Sequence, residues 1–214
     1  MVDSYKHKGL RKKLIESIRA KGIEDTRVLD AMDKVPRHLF MDSSFVNFSY
    51  TDKAFPIAAG QTISQPYTVA YQTELLDVKK HQKVLEVGTG SGYQTAVLLE
   101  MGARVYTIER QRQLFLEAQK TLGPLNYKPV FFFGDGYEGL PAYAPFDRIL
   151  ITAAAREVPQ ILLNQLAIGG ILVLPEGDRS GQKMIRVERE SDDKYHRSEH
   201  GYFSFVPLLR GKTK

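Results

Sequence analysis

The sequence predicts an α/β fold: a doubly wound, mostly parallel, seven-stranded sheet with a helical segment before it and an antiparallel edge after it. Three observations support this prediction. Short apolar runs alternate with helix-like segments from residue 83 to about residue 175, a glycine turn follows the first run, and two later segments alternate as antiparallel strands do. Apolar strands separated by helices indicate a parallel sheet covered on both faces.

The composition limits the kinds of protein that this chain can be. Its 214 residues suit one compact unit, made of a helical segment (1–79) and a sheet region (80–214). The lack of cysteine excludes disulfides, thiol catalysis and cysteine-based zinc sites, and the five histidines show no metal-ligand spacing. No apolar stretch approaches the ~18 residues that span a bilayer, and the N-terminus is too polar for a secretion signal. We therefore expect a metal-free, cytoplasmic protein that acts as a monomer.

The N-terminal segment combines basic residues with one helical pattern. Lys and Arg number 30 against 25 Asp and Glu, which gives a net charge of +5, and cations cluster near both ends. Leu10, Leu14, Ile15 and Ile18 are spaced as one face of a helix between these cations. We favour an amphipathic helix with a solvated basic face, and a nucleic-acid-binding surface is the alternative.

The sheet region divides into elements at its apolar runs and glycines. Each predicted helix ends at a glycine that can adopt left-handed backbone angles and so terminate the helix. The tail carries two strands that alternate as in an antiparallel sheet. The predicted elements are strand 83–87, helix 92–101 before Gly102, strand 104–108, helix 111–122 before Gly123, strands 130–133 and 147–151, a helix from Pro159 to Gly169-Gly170, and strands 171–174, 182–190 and 201–209.

The turn Gly88-Thr89-Gly90-Ser91-Gly92 follows the strand 83–87 and precedes a helix. Such a turn is where an open parallel sheet binds a nucleoside cofactor. A phosphate-binding loop would place a lysine after the glycines, but the chain continues with Tyr93-Gln94-Thr95, which excludes that class. A dinucleotide fingerprint requires a small residue where Tyr93 stands, so this alternative is weakened as well.

Two acidic residues near the turn favour a positively charged cofactor. Glu86 would repel a pyrophosphate at the following helix N-terminus, but it suits an amino or sulfonium group. Glu109 ends the next strand, 21 positions after Gly88, close to the ~20-residue offset at which a carboxylate meets ribose hydroxyls. S-adenosylmethionine carries all of these groups. The alternative is that Glu109 is a surface charge and that the glycines only turn the chain.

Two further strand ends are candidate walls of the cofactor site, because ligands lie beyond the carboxyl ends of parallel strands. In Gly134-Asp135-Gly136 the glycines allow close backbone approach to a flat ligand, and Asp135 can accept from an adenine amino group. An ordinary tight turn is an equal alternative. The small residues 152–155 after the fourth strand leave room for a ligand, although close helix–sheet packing would also require small residues there.

The segment from residue 55 to residue 67 joins Pro, Gly and hydroxyl residues to a helix pattern that runs from Val69 to Leu76. Ser64 or Gln65 could cap that helix. A loop that ends at a helix N-terminus also offers free N–H groups and a hydroxyl, which together can hold a carboxylate.

A set of short blocks, in one order through nearly the whole chain, resembles the protein-L-isoaspartate O-methyltransferase family. The glycine turn is shared with many methyltransferases, but the Thr-Ile-Ser-Gln-Pro block at 62–66 is specific to this family. In two places the chain departs from the family pattern: Ala58-Ala59 replaces a glycine-containing pair, and Tyr71 replaces an aliphatic residue or Met. The similar blocks are 35–40, 60–67, 73–76, 85–93, 134–136, 152–155, 158–159, 169–170 and 205–208.

The resemblance implies a class I methyltransferase-like fold and an enzyme that moves a methyl group from S-adenosylmethionine to the α-carboxylate of L-isoaspartyl residues in damaged proteins. The ester then collapses to a succinimide, and hydrolysis returns some normal aspartate. By motif, Ser64 is the active-site residue, and Thr62, Ile63 and Val206 join it in contacting the substrate. The implied cofactor-binding residues are Gln65, Glu86, Gly88, Thr89, Gly90, Ser91, Gly92, Glu109, Arg110, Asp135 and Gly136.

The reaction that the resemblance implies needs few catalytic groups. A carboxylate with a pKa of about 4 is ionised at neutral pH, so it needs no general base. Placement must supply most of the rate, and we hypothesise that Ser64 is a hydrogen-bond donor that positions the carboxylate. Two alternatives stay open: a methyltransferase for another acceptor, such as RNA or a small molecule, and a cofactor-binding module without catalysis.

Overall fold

The computed structural model describes residues 2–178 and 180–213. Its N-terminal segment is helical and rich in loops, as the sequence predicts. The segment contains α1 (Tyr5–Ala20), α2 (Thr26–Lys34), the 3₁₀ helices Arg37–Phe40, Ser43–Phe48 and Ala58–Gly60, the paired strands β1 (Phe55–Pro56) and β2 (Thr62–Ile63), and α3 (Pro66–Leu76).

Helix α1 buries Leu14 and Ile18 of its predicted apolar face, whereas Leu10 of that face is exposed. One of its cations departs from the predicted solvated basic face. Arg11 is 6% exposed and donates to both carboxylate oxygens of Asp3, at 3.2 and 3.1 Å, and to the Tyr50 hydroxyl at 3.1 Å. Its charge therefore stabilises the docking of α1 instead of facing solvent.

The central sheet has seven strands, and its order β5-β4-β3-β6-β7-β8-β9 confirms the predicted doubly wound fold. Strands β3 to β7 pair in parallel, and β8 and β9 add an antiparallel edge. The elements of this region are β3 (Lys83–Val87), α4 (Tyr93–Glu100), β4 (Arg104–Glu109), α5 (Arg112–Leu122), β5 (Val130–Phe133), the 3₁₀ helix Pro141–Tyr143, β6 (Phe146–Ile151), α6 (Gln160–Leu163), β7 (Leu166–Asp178), β8 (Gly181–Arg189) and β9 (Tyr195–Phe203).

The core lies on both faces of the sheet, because the central strands are apolar throughout. Four of the five residues of β3 are buried, and so are five of the six residues of β6. The N-terminal helices share one hydrophobic cluster with α4, in which Val28 and Met32 lie with Val97. In the described residues, no helix has the length and apolar character that crossing a membrane would require.

Two predicted glycine stops differ from the structure. Gly102 has the left-handed φ of +84° that ends α4, as predicted. Gly123 follows α5 with a right-handed φ of −56°, and the left-handed residue comes later, at Asn126 with φ +63°. The helix from Pro159 is a single short turn, so Gly169-Gly170 do not end it and lie inside β7 instead.

The last strand lies earlier in the chain than the sequence predicts. The predicted bounds 201–209 are wrong, because β9 covers Tyr195–Phe203, where it pairs with β8. Residues after Phe203 leave the sheet edge, and Val206 and Leu208 instead bond to Ala154, at 2.8 and 2.7 Å. The alternating sequence pattern of the tail therefore extends beyond the end of β9, because contacts with Ala154 hold the following residues away from the sheet edge.

Candidate active site

A cleft opens at the carboxyl ends of β3, β4 and β6, where ligands of open parallel sheets bind. It brings together most of the residues that the sequence assigns to the site. Those residues are Thr62, Ile63, Ser64, Gly88, Thr89, Gly90, Ser91, Glu109, Arg110, Gly136 and Val206. Four other predicted cofactor residues do not line this cleft: Gln65, Glu86, Gly92 and Asp135.

The glycine turn exposes its backbone to the cleft because its glycines adopt angles that side chains rarely allow. Gly88, Gly90 and Gly92 have φ values of +97°, +55° and +86°. A Cβ on Gly88 would lie 2.4 Å from the Thr152 hydroxyl, which itself donates to the Gly88 carbonyl at 2.7 Å. A Cβ on Gly90 would meet only Ile57, at 3.8 Å. Thr152 therefore fixes the turn at Gly88, and the backbone at Gly90 stays open toward the cleft.

Glu109 connects the turn to the next strand. One of its carboxylate oxygens accepts from the Gly90 amide at 2.9 Å, and the other accepts from the Gln111 amide at 2.8 Å. The side chain is 5% exposed and lines the cleft. Because a carboxylate oxygen has two lone pairs, each oxygen can still accept one ribose hydroxyl. The surface-charge alternative for Glu109 is wrong.

Glu86 lies beneath the turn and is fully buried. One oxygen accepts from the hydroxyls of Thr95 and Thr107, at 2.5 and 2.7 Å, while the other has no partner among the described residues. Burial raises the pKa of Glu86 to about 7, although both hydroxyls favour the ionised form. Glu86 is therefore a buried acid beneath the turn and does not itself line the cleft.

The C-terminal segment forms a wall of the cleft that the sequence did not assign beyond Val206. Pro207, Leu208 and Leu209 also line the cavity. The segment is held by Asp135, which accepts from the Gly211 amide at 2.6 Å, and by Arg110, which donates to the Gly211 carbonyl at 2.9 Å. Asp135 also accepts from the amide two residues later, which is the ordinary turn contact of our alternative interpretation. Its contact with adenine stays a prediction.

The loop that carries Ser64 also lines the cleft, just before α3. Gln65 stands at the N-cap position of this helix, as predicted, but in the described residues neither its side chain nor that of Ser64 makes the capping hydrogen bond. Asp52 supplies the cap: it accepts from the Tyr67 amide at 2.8 Å and from the Gln65 side chain at 3.1 Å. In the described part of the chain the Ser64 hydroxyl has no hydrogen-bond partner, and it faces the cleft.

The N-terminal segment supports this loop through a buried cation that the sequence did not reveal. Arg37 is fully buried, with its guanidinium 4.8 Å from the centre of the Tyr93 ring and 3.4 Å from the Lys53 carbonyl. Burial lowers its pKa to about 10, so it stays charged, and the ring face provides part of its stabilisation. Arg37 thereby links the first residue of α4 to the segment before the Ser64 loop.

Two histidines that looked scattered in the sequence meet in the fold. His7 and His38 stack with ring centres 3.8 Å apart, and Asp3 lies within ligand reach of both. Arg11 binds both oxygens of Asp3. Burial, followed by the neighbouring His7, lowers the pKa of His38 to about 4, so it is neutral at pH 7.

The chemistry of the cleft fits S-adenosylmethionine. The turn offers exposed backbone, Glu109 offers carboxylate oxygens for ribose, and Ile108 and Leu114 give apolar surface for a flat base. The order of the strands in the sheet and the lack of a lysine after the glycine turn distinguish this protein from phosphate-binding folds. This architecture is that of the class I methyltransferases, which use S-adenosylmethionine as methyl donor.

Comparison with known proteins narrows that class. The family model described as protein-L-isoaspartate(D-aspartate) O-methyltransferase (PCMT) matches residues 9–213. A protein-L-isoaspartate O-methyltransferase of Christiangramia forsetii is 56% identical over 214 residues, which is all of both chains. One of Cytophaga hutchinsonii is 57% identical over 209 residues, 98% of this chain and 95% of the relative. The chain therefore belongs to the protein-L-isoaspartate (D-aspartate) O-methyltransferase family.

Solved structures agree with this assignment. A protein-L-isoaspartate O-methyltransferase superposes with a TM-score of 0.83 at 27% identity, over 92% of this chain and 65% of that one. A putative enzyme of the same kind from Plasmodium falciparum, solved with S-adenosyl-L-homocysteine, has the same fold, with a TM-score of 0.81 at 24% identity over 93% of this chain and 98% of that one. The chain is an S-adenosylmethionine-dependent enzyme that methylates the α-carboxylate of L-isoaspartyl residues and so initiates their repair.

Proposed function

We propose that Ser64 positions the isoaspartyl carboxylate and that the turn and Glu109 hold the methyl donor against it. A single observation supports this division of roles: Thr62 to Ser64 and Gly88 to Ser91 line the same cleft. Donor and acceptor bound to these two segments would meet in it. The roles of the individual residues are our inference from this geometry.

The carboxylate needs alignment more than activation. It is ionised at neutral pH, so one of its oxygens can attack without transferring a proton to the protein. S-adenosylmethionine supplies a methyl group on a sulfonium, and the sulfur keeps the electron pair of the broken bond as the new carbon–oxygen bond forms. A hydroxyl donor on the second carboxylate oxygen fixes the direction of attack, and alignment of this kind contributes ~7–11 kcal/mol in favourable systems.

The start of α3 leaves Ser64 as the donor for the anion. Pro66, the first residue of the helix, has no N–H, and Asp52 accepts from the Tyr67 amide. The Ser64 hydroxyl has no hydrogen-bond partner in the described residues and lines the cleft.

Ser64→Ala tests this role. We expect kcat/KM for an isoaspartyl peptide to fall about tenfold to hundredfold, since a hydrogen bond to a charged group contributes about 1.5–3 kcal/mol. The affinity for S-adenosylhomocysteine, measured by calorimetry, should stay unchanged. Ser44→Ala, an exposed serine outside the cleft, is the matched control. An unchanged kcat/KM in Ser64→Ala would refute the positioning role.

A second acceptor class is testable in the same assay. Incubation with labelled donor, an isoaspartyl peptide, its normal aspartyl twin and RNA shows which one acquires base-labile label. The inward-facing Arg11 favours a structural role for part of the basic N-terminus over RNA binding.

That the enzyme is cytoplasmic, monomeric and free of metal stays a prediction. Cell fractionation, light scattering and metal analysis are the respective measurements.

A further inference from the structure

A groove beside the cleft is lined by aromatic side chains that the methyl transfer itself does not use. We call it the aromatic groove, and it is bounded by the first turns of α3 and by the chain from Gly201 to Val206. It shares Thr62, Ser64 and Val206 with the cofactor cleft. An isoaspartyl residue at Ser64 belongs to a polypeptide that continues in both directions, so one flanking residue of the substrate must pass through this groove.

Aromatic rings form the floor of the groove. Tyr67 and Tyr71 lie four residues apart on α3, and therefore on one helix face, with ring centres separated by 5.8 Å. Tyr71 also lies 5.1 Å from the ring of Phe203, on the opposite wall. Tyr202 also lines the groove and is 74% exposed. The rings of Tyr67, Tyr71 and Phe203 offer an apolar surface in the groove that Ser64 also lines.

The opposite wall is held rigidly in place. Gln182 is 8% exposed, and its amide side chain bonds to both backbone groups of Phe205: it accepts from the amide at 2.6 Å and donates to the carbonyl at 3.3 Å. The next residue, Val206, accepts from the Ala154 amide at 2.8 Å. The groove therefore needs little ordering when a peptide enters it, which favours binding.

The charges around the groove are already paired. Lys21 binds Asp52 at 2.5 Å, and Lys183 binds Glu199 at 2.6 Å. Each ammonium also lies near a groove tyrosine, with Lys21 5.6 Å from the Tyr67 ring centre and Lys183 5.7 Å from that of Tyr202. Because both cations have partners, the ring surface and not a net charge decides which flanking side chain the groove favours.

We propose that the aromatic groove binds a residue adjacent to the isoaspartyl residue of the substrate and selects a large apolar or aromatic side chain there, with Tyr71 as a main specificity determinant. This inference rests on the proposed function, because it takes Ser64 as the anchor of the isoaspartyl carboxylate. Replacing alanine by phenylalanine at the flanking position should raise kcat/KM about tenfold, the usual scale for a few buried methylene equivalents.

The test compares two series of isoaspartyl peptides, with alanine, leucine, phenylalanine or glutamate placed immediately before or immediately after the isoaspartyl residue. We expect phenylalanine and leucine to exceed alanine about tenfold in kcat/KM in one series, chiefly through KM. In Tyr71→Ala this ratio should fall to about twofold. Tyr5→Ala, which removes a 93% exposed tyrosine far from the groove, should keep the wild-type ratio.

Tyr202→Ala provides a second variant whose folding is not at risk, since this ring is mostly exposed. It should lower the same ratio by a smaller factor. Equal kcat/KM for all flanking residues in both series would overturn the inference, as would a preference that survives in both variants. A failure of the proposed function looks different: no isoaspartyl peptide would be methylated, or Ser64→Ala would methylate all of them as fast as the wild type does.

Discussion

The two sides of the cleft are built in different ways. The cofactor side, which comprises Gly88 to Ser91 and Glu109, follows directly from two adjacent parallel strands: Val87 pairs with Ile108, and the two strand ends meet. The substrate side, which comprises Thr62 to Ser64 and Val206, precedes α3, whose first turn is held by Asp52 from a loop outside the sheet. The cofactor side is thus set by the ends of paired strands, and the substrate side by side-chain contacts from a loop.

This difference gives the two sides different sensitivities. A change in the turn should alter both stability and donor binding, because the turn is part of the sheet and of the site. A change in the support of the substrate side should alter peptide binding and leave donor binding intact. Three substitutions, in order of decreasing effect, test whether the separation holds.

The largest effect is expected for Gly88→Ala, on the cofactor side. The added Cβ would lie 2.4 Å from the Thr152 hydroxyl, at a φ of +97° that L-residues rarely adopt. We expect a loss of about 2–4 kcal/mol in the free energy of unfolding, together with at least tenfold weaker binding of S-adenosylhomocysteine. Urea unfolding and calorimetric titration measure the two quantities.

Gly22→Ala is the matched control for this substitution. Gly22 has nearly the same φ, +99°, but its added Cβ would meet nothing within 4 Å. The control should lose only the ~1–2 kcal/mol of left-handed strain and should bind the cofactor normally. If both variants lost the same stability, the contact with Thr152 would not be what fixes the turn.

The second prediction concerns the protonation of Glu86, beneath the cofactor side. Burial raises its pKa to about 7 from an ordinary value of 4.5, so the folded protein holds this proton more tightly than the unfolded chain does. Its contribution therefore favours folding below about pH 4.5 and is lost as the pH rises through about 7. Glu86→Gln removes this dependence. We therefore compare the free energy of unfolding of the variant with that of the wild type at two pH values. The difference should be about 1–3 kcal/mol more favourable to the variant at pH 8.5 than at pH 5.

Urea unfolding at the two pH values measures this difference of differences. Glu117→Gln, at an exposed position of α5, should follow the pH dependence of the wild type. A Glu86→Gln variant with the wild-type pH dependence would show that Glu86 is ionised throughout. Its carboxylate would then act on the cleft as a charge and not as a buried acid.

The same contrast explains what the sequence could predict. The β3 turn and Glu109 follow each other within one strand–helix–strand unit, so periodicity and spacing located them, and the doubly wound class of the sheet, correctly. The cap on α3 could not be found in this way, because Asp52 lies in a loop and no local pattern links it to Tyr67. Ser64 and Gln65 had the right residue types for capping, but tertiary contact selected another side chain.

Other failures have the same cause. Nothing in the spacing of His7 and His38 indicates that they stack, since the contact joins α1 to a 3₁₀ helix. The tail pattern continued to residue 209, yet Val206 and Leu208 bond to Ala154 instead of continuing β9. Local periodicity reports which residues can form a strand, whereas the neighbour to which that strand pairs is decided by the whole fold.

The smallest effect, and the most direct test of the substrate side, is expected for Asp52→Ala. The change removes the acceptor for the Tyr67 amide and for the Gln65 side chain. Loss of a helix cap costs about 0.5–2 kcal/mol. We expect KM for an isoaspartyl peptide to rise several-fold because the Ser64 loop loses its anchor, while the affinity for S-adenosylhomocysteine stays unchanged.

Two companion variants separate the cap from other roles of Asp52. Asp42→Ala removes a comparable contact, the one to the Ser44 amide at 2.8 Å, from a helix outside the cleft, and should leave KM unchanged. Asp52→Asn keeps an oxygen acceptor for the Tyr67 amide but loses the ion pair with Lys21. Should Asn restore the wild-type KM, the hydrogen bond positions the loop. A KM as high as that of Asp52→Ala would assign this role to the ion pair, and weaker cofactor binding in either variant would mean that the two sides are coupled.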